Sequence, residues 1–127
     1  PLRLALQNLS VEMSQRTGAE VVCKIGDGAN ELNVTLAETI WRVTQEALTN
    51  VEKHARARRA QVELDTAGGA VTLRVADDGV GLPPDAATRP GHYGLRGIRE
   101  RVEGLGGQLT VTNNGGGTVI EARLPIL

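Results

Sequence analysis

The chain reads as a two-layer α/β sandwich, a mixed and mostly antiparallel sheet covered on one face by three helices. Three observations predict it. Apolar residues recur at helical spacing in three segments, they alternate in five others, and glycine-rich turns separate the segments. Leu2, Leu6, Leu9 and Met13 predict a first helix, which Gly18 stops after Thr17. Glu20 to Ile25 is a short strand, followed by a turn at Gly26-Asp27-Gly28. Asn33 or Thr35 caps the central helix, whose apolar stripe Leu36, Ile40, Val43, Ala47 and Val51 carries it to about His54. Arg59 to Thr66 alternates with Ala60, Val62 and Leu64 inward. Gly68-Gly69 makes a tight turn, and Val71, Leu73 and Val75 continue as the hairpin partner.

Leu82 to Tyr93, with Pro83, Pro84, Pro90 and Gly91, has no periodicity and is read as a loop. Gly94 to about Leu105 is the third helix, ended by Gly106-Gly107. Leu109 and Val111 form a strand, Asn113 to Gly117 a turn, and Thr118, Ile120, Ala122 and Leu124 the inward face of the last strand.

Residues 1 to 127 suffice for one domain with a real core and are short for two. The chain starts inside a helical pattern, as expected of a domain cut from a longer protein. With 14 basic and 15 acidic residues there is no electrostatic case for nucleic acid or an anionic membrane, so any pull on an anion must be local. There is no Phe, one Trp and one Tyr, so Leu, Val, Ile and Ala build the core and base-stacking platforms are disfavoured. No run approaches the roughly 18 apolar residues of a membrane span, and no signal-peptide pattern is present. The single Cys23 cannot form an internal disulfide, which fits a reducing compartment; it reads as a small buried residue.

Two stretches carry chemistry. In the central helix, Glu46, Asn50, Lys53 and His54 bring a carboxylate, a carboxamide, an ammonium and an imidazole into a wedge of roughly 100° along the edge of the apolar stripe. Downstream, Asp77-Asp78-Gly79-Val80-Gly81 places an acid at the end of an apolar strand, then two glycines where backbone approaches something closely. Together they read as a nucleotide site.

The order Glu46-x-x-x-Asn50, Asp77-x-Gly79-x-Gly81, Gly94-Leu95-x-Gly97-Ile98 and Gly115-x-Gly117-Thr118 resembles the N, G1 and G2 boxes and closing Gly-x-Gly-Thr of the GHKL ATPase superfamily. Within it, Gln45 to Asn50, Lys53-His54-Ala55 and Gly91 to Arg101 are similar to the nitrate/nitrite-sensor class of two-component histidine kinases. The resemblance runs from about Leu2 to Leu124. It implies ATP and Mg²⁺ as cofactors, with ATP contacts at Asn50, Lys53, His54, Asp77, Gly79, Gly81, His92, Tyr93, Gly94, Leu95, Gly97 and Thr118.

The residue types suit those roles. Asn50 offers a hard neutral oxygen to Mg²⁺. Glu46, one turn earlier, either polarises a metal-bound water or accepts a proton from the attacking group, or it is structural. Lys53 is a phosphate point charge or a solvated helix-end lysine; His54 is a phosphate neighbour or a helix-terminal histidine. The Asp77 carboxylate accepts from the exocyclic amine of adenine, where guanine carries a carbonyl. Alternation turns Asp78 the other way. Gly79 and Gly81 let the chain turn beside the base, Gly81 packing closely on it. By resemblance, Thr118 supports Asp77 and adenine through its hydroxyl or a water. Gly91 to Gly97 forms the phosphate end, where a helix N-terminus faces the anion. Arg96 is a candidate phosphate contact, and Arg99 and Arg101 interleave with Glu100 and Glu103 on a solvated face. Leu82 to Tyr93 is the expected ATP lid, mobile without nucleotide, with His92 at its hinge. Val51 stands where a small residue is common, which alters packing only.

His54 and His92 are followed by Ala55 and Tyr93, not by the acidic residue that follows a phosphoacceptor histidine. The resemblance therefore implies a catalytic domain that phosphorylates a histidine on a separate dimerisation domain, with a response regulator downstream and a homodimeric parent. The domain itself is expected to be monomeric and cytoplasmic, without direct membrane contact, whether the parent is soluble or membrane-bound. An anti-sigma-factor-type serine kinase and a non-catalytic interaction module are the alternatives.

Overall fold

The computed structural model describes residues 1–83, 85–86, 94–113 and 116–126, with only the backbone at position 55. Helix α1 (Leu2–Thr17) buries Leu2, Leu6, Leu9 and Met13 and ends at Gly18, whose N–H donates to Ser14 O at 2.9 Å. Strand β1 (Glu20–Ile25) follows, and Arg3 ties its end to α1 by donating to Ile25 O and Gly26 O, both at 2.8 Å. A single 3₁₀ turn (Ala29–Glu31) leads to α2 (Val34–Asn50). Asn33 is the cap: its Oδ1 accepts the Leu36 N–H at 2.9 Å, satisfying one of the donors a helix start leaves open.

The central helix does not continue as α-helix to His54. Val51–Ala55 is a π turn, so the angular spacing of an α-helix holds as far as Asn50 and fails for Lys53 and His54. The wider turn accompanies burial of Val51 (6% exposed) against Ala60, with Val21 and Ala57 around them, so Val51 is a packing residue as expected.

Strands β2 (Arg59–Ala67), β3 (Ala70–Asp77), β4 (Gln108–Asn113) and β5 (Thr118–Pro125) complete a five-stranded sheet of order β1-β2-β3-β5-β4. Only β1 and β2 are parallel among these pairs, and α2 lies in the crossover that parallel neighbours require. Inward residues Val62, Leu64, Leu73, Val75, Ile120, Ala122 and Leu124 meet the helices. The open face carries exposed cross-strand pairs such as Glu63–Arg74 at 3.5 Å, worth little in water.

Helix α1 packs on β1, α2 on β3 and β5, and α3 (Leu95–Gly104) on β4 and β5, so all three cover one face as predicted. Arg101 is not merely part of a solvated face. Its Nε donates to Thr39 Oγ1 at 2.9 Å and its guanidinium lies 3.6 Å from Glu38, fastening α3 to α2. The segment expected to be a lid carries core residues in its described part. Leu82 (4% exposed) and Ala86 (0%) belong to the core, because a proline-rich segment can still bury the apolar residues it carries.

Candidate functional site

One end of the sheet gathers the motif residues. The register sets Ala60 against Asp77, Val51 of the π turn packs on Ala60, and β5 begins at Thr118 beside the end of β3. The start of α3 meets α2 here as well. Gly94 precedes α3 with φ 69°, and a Cβ on it would overlap the Glu46 carboxylate. Glycine suits this position for its left-handed backbone, and its missing side chain leaves room for the Glu46 carboxylate.

Asp77 follows Val71, Leu73 and Val75 onto the inward side of β3 and is half-buried. Its Oδ1 accepts the Gly79 N–H at 2.8 Å, and the Thr118 backbone N–H also bonds the carboxylate. Burial pushes its pKa above the ordinary value, and the nearby Asp78 charge adds to the rise, while the two N–H groups pull against it. Thr118 thus meets Asp77 through its backbone N–H. The hydroxyl is engaged elsewhere, accepting the Leu82 N–H at 2.8 Å.

Asp78 is exposed and turned away, as alternation requires. Its Oδ1 accepts the Arg59 and Arg58 N–H groups at 3.0 and 2.9 Å, which hold its pKa below the ordinary range. Gly117 is buried where β5 crosses the end of β3, and a Cβ there would collide with the Asp77 carbonyl and Asp78 Cα. Gly81 has a partner that the motif did not suggest: a Cβ on it would stand 3.0 Å from Asn113 Oδ1.

Asn50 is 4% exposed and Glu46 half-exposed one turn before it, whereas Lys53 and His54 are exposed on the π turn. Leu95 is fully buried and anchors α3 in the core. Gly97 is exposed within α3, and a Cβ there would meet nothing within 4 Å among the described residues. Arg96 pairs with Glu100 at 3.5 Å on the exposed face of the helix, and Arg99 lies 3.6 Å from Glu103 with its Nε buried rather than solvated. Gly91, His92, Tyr93 and Gly115 lie outside the described residues.

A depression of about 340 Å³ beside the motif is lined by Arg59, Ala60, Gln61, Ala76, Asp77 and Asp78. A larger hollow of about 660 Å³ lies at the other end of the sheet, around Gly68, Gly69, Gly106 and Gly107, and holds none of the motif residues. Asn113, expected only as the start of a turn, pairs with Thr118 and lies beside Gly81 at this end of the sheet. The signal for it in the sequence is an Asx residue at the very end of a strand.

Residues 35–127 match the family model described as histidine kinase-, DNA gyrase B-, and HSP90-like ATPase. The sensor histidine kinase MctS of Rhizobium johnstonii is 31% identical over 126 residues, 98% of this chain and 27% of that protein. The nitrate/nitrite sensor protein NarQ of Escherichia coli is 32% identical over 118 residues, 91% of this chain and 21% of that protein. Among solved structures, the Erythrobacter litoralis EL346 blue-light activated histidine kinase aligns with a TM-score of 0.83 at 27% identity, over 99% of this chain and 42% of that one. The chain spans about a quarter of the length of these two curated relatives.

Proposed function

Because the chain belongs to the histidine kinase-, DNA gyrase B- and HSP90-like ATPase family, we propose that it is the ATP-binding catalytic domain of a sensor histidine kinase. In this reading it binds Mg-ATP and donates the γ-phosphoryl group to a histidine on a separate dimerisation domain of its parent. One observation carries the nucleotide assignment. A half-buried Asp77 carboxylate, steadied by two backbone N–H groups, stands at the same end of the sheet as Asn50, Glu46 and the start of α3.

Asp77 accepts from the adenine amine and disfavours guanine, whose carbonyl would face it. Thr118 holds Asp77 through its N–H, and Gly79 and Gly81 keep the loop beside the base close. At the other end of the nucleotide, the N-terminus of α3 at Gly94, Leu95 and Gly97 faces phosphate. Lys53 and His54 add exposed positive or hydrogen-bonding groups, and His92 and Tyr93 complete the contacts from the lid.

The donors present fit Mg²⁺. No three His, Cys, Asp or Glu side chains cluster to hold a metal among the described residues, so an all-protein cage is not what this site offers. The Asn50 carboxamide, with Glu46 acting through water, suits an ion that keeps phosphate oxygens and waters as its other ligands. When bound, Mg²⁺ neutralises charge on the triphosphate. The chain's own part is to position: the acceptor imidazole nitrogen forms its bond to the γ-phosphorus in line as the bond to the β,γ-bridging oxygen breaks, and ADP leaves.

A response regulator then takes the phosphoryl group; the parent, soluble or membrane-bound, acts as a homodimer, and this domain works in the cytoplasm, where ATP is available. No described helix is long and apolar enough to cross a membrane. The named relatives are sensor histidine kinases, which weighs against the serine-kinase and non-catalytic readings. Calorimetry with ATP and GTP, with and without Mg²⁺, tests the assignment, paired with phosphotransfer to a separately supplied dimerisation domain. Adenine preference and acid-labile label on that domain are expected. Equal affinity for ATP and GTP would sink the adenine role, and an unlabelled partner would sink the kinase reading.

A further inference from the structure

Asn113, the last residue of β4, faces Thr118, the first of β5, and its carboxamide reaches across to Leu82. Nδ2 donates to Leu82 O at 2.6 Å, and Oδ1 accepts the Leu82 N–H at 3.2 Å. The side chain thus satisfies both backbone groups of one residue, as a neighbouring strand would, at a point where the chain has left the sheet. The Leu82 N–H also donates to Thr118 Oγ1 at 2.8 Å, and that hydroxyl lies 3.4 Å from Asn113 Oδ1. Gly81 packs directly on the carboxamide oxygen. The loop from Gly79 to Leu82 is therefore held at both ends. Asp77 takes the Gly79 N–H, and the Asn113–Thr118 pair takes Leu82.

We infer that Asn113 is a positioning residue for the base-binding loop, clamping Leu82 so that Gly79 and Gly81 stay where Asp77 meets adenine. The inference rests on the nucleotide reading proposed above. A carboxamide is needed because the clamp must donate and accept at the same peptide. Aspartate keeps the shape but has no donor for Leu82 O and sets a charge against that carbonyl; alanine removes both bonds. Asn113 is itself exposed, so its removal leaves no cavity in the core, whereas Leu82 is 4% exposed and transmits the restraint inward.

The test uses the whole chain with Asn113→Ala and the isosteric Asn113→Asp. Without nucleotide, the Leu82 amide is expected to exchange with solvent about tenfold faster in Asn113→Ala and by less in Asn113→Asp, which keeps an acceptor for that N–H, while amides in the middle of β3 keep their protection. With nucleotide, ATP affinity is expected to fall about fivefold to tenfold and GTP affinity much less, so the ratio of the two narrows. A purely structural effect would lower both affinities together and leave the ratio intact. Unchanged exchange at Leu82 would overturn the clamp, and faster exchange with an unchanged ATP-to-GTP ratio would overturn the positioning role alone. Failure of the wild-type chain to bind ATP would overturn the nucleotide reading and this inference with it.

Discussion

Asp77 and Asp78 are adjacent in sequence and titrate in opposite directions. Burial among the inward residues of β3 pushes the Asp77 carboxyl up, while two backbone N–H groups at Arg59 and Arg58 hold the exposed Asp78 down. The pleat separates them: one carboxylate faces the helical layer and the other braces the start of β2. Their contributions to stability therefore carry opposite signs. Between the ordinary value and the raised one, folded Asp77 binds a proton that the unfolded chain has released, so its share of stability falls as pH rises. Asp78 contributes stability above its unfolded pKa and loses it as pH falls through the lower folded value.

Asp77→Asn is expected to keep or raise the melting temperature at pH 7, because it removes a charge that burial disfavours. It should weaken ATP binding about tenfold to a hundredfold through loss of a charge-assisted acceptor. In the wild type, ATP affinity should begin to fall on acidification above the ordinary carboxylate range, since protonated Asp77 accepts poorly. Calorimetry over a pH series decides: an affinity that stays flat down to the ordinary range would remove Asp77 from the base contact.

Asp78→Asn should lower the melting temperature at pH 7 by roughly a few degrees and leave nucleotide affinity unchanged. The gap from wild type should close as pH falls through the carboxylate range. A gap that widened in acid would contradict the bonds to Arg58 and Arg59 as its cause.

Gly117→Ala should be the most damaging single methyl in the site, because the new Cβ meets the Asp77 carbonyl and Asp78 Cα, backbone that cannot rotate away. About 3 kcal/mol or more of stability is expected to be lost in denaturant titration. Gly97→Ala, facing open space, should leave stability unchanged or slightly raised. A Gly117→Ala protein as stable as wild type would refute the close approach of β5 to β3.

Asn50→Ala and Asn50→Asp should reduce Mg²⁺-dependent phosphotransfer in the full-length parent by about a hundredfold or more, while nucleotide without metal still binds. Transfer at the wild-type rate in Asn50→Ala would exclude the metal role.

The chain alone, incubated with Mg-ATP, should carry no phosphohistidine at His54 or His92. A contact beside the polyphosphate is not placed for in-line attack on the γ-phosphorus. Mass spectrometry that preserves acid-labile phosphate reads this directly, and stoichiometric label on either histidine would contradict the division of labour between domains.

Repeating local patterns determined the architecture: Leu2 to Met13 and Leu36 to Val51 at helical spacing, Val71 to Val75 and Thr118 to Leu124 by alternation, and Asn33 ahead of its helix. These were readable because each is set by neighbours within a turn or a pleat. Glu46, Asn50, Asp77 and Gly94 were singled out together because their boxes resemble those of a known ATPase superfamily, and the fold sets Asp77, Glu46 and Gly94 at one end of the sheet. Tertiary structure alone decided that the Glu46 carboxylate rests on Gly94, that Arg101 reaches Thr39, and that the α-helix gives way to a π turn at Val51. It also decided that Asn113 holds Leu82, 31 residues away. Such contacts join residues distant in the chain, and their partners are chosen by which backbone groups the packed core leaves unsatisfied. No local pattern encodes that choice.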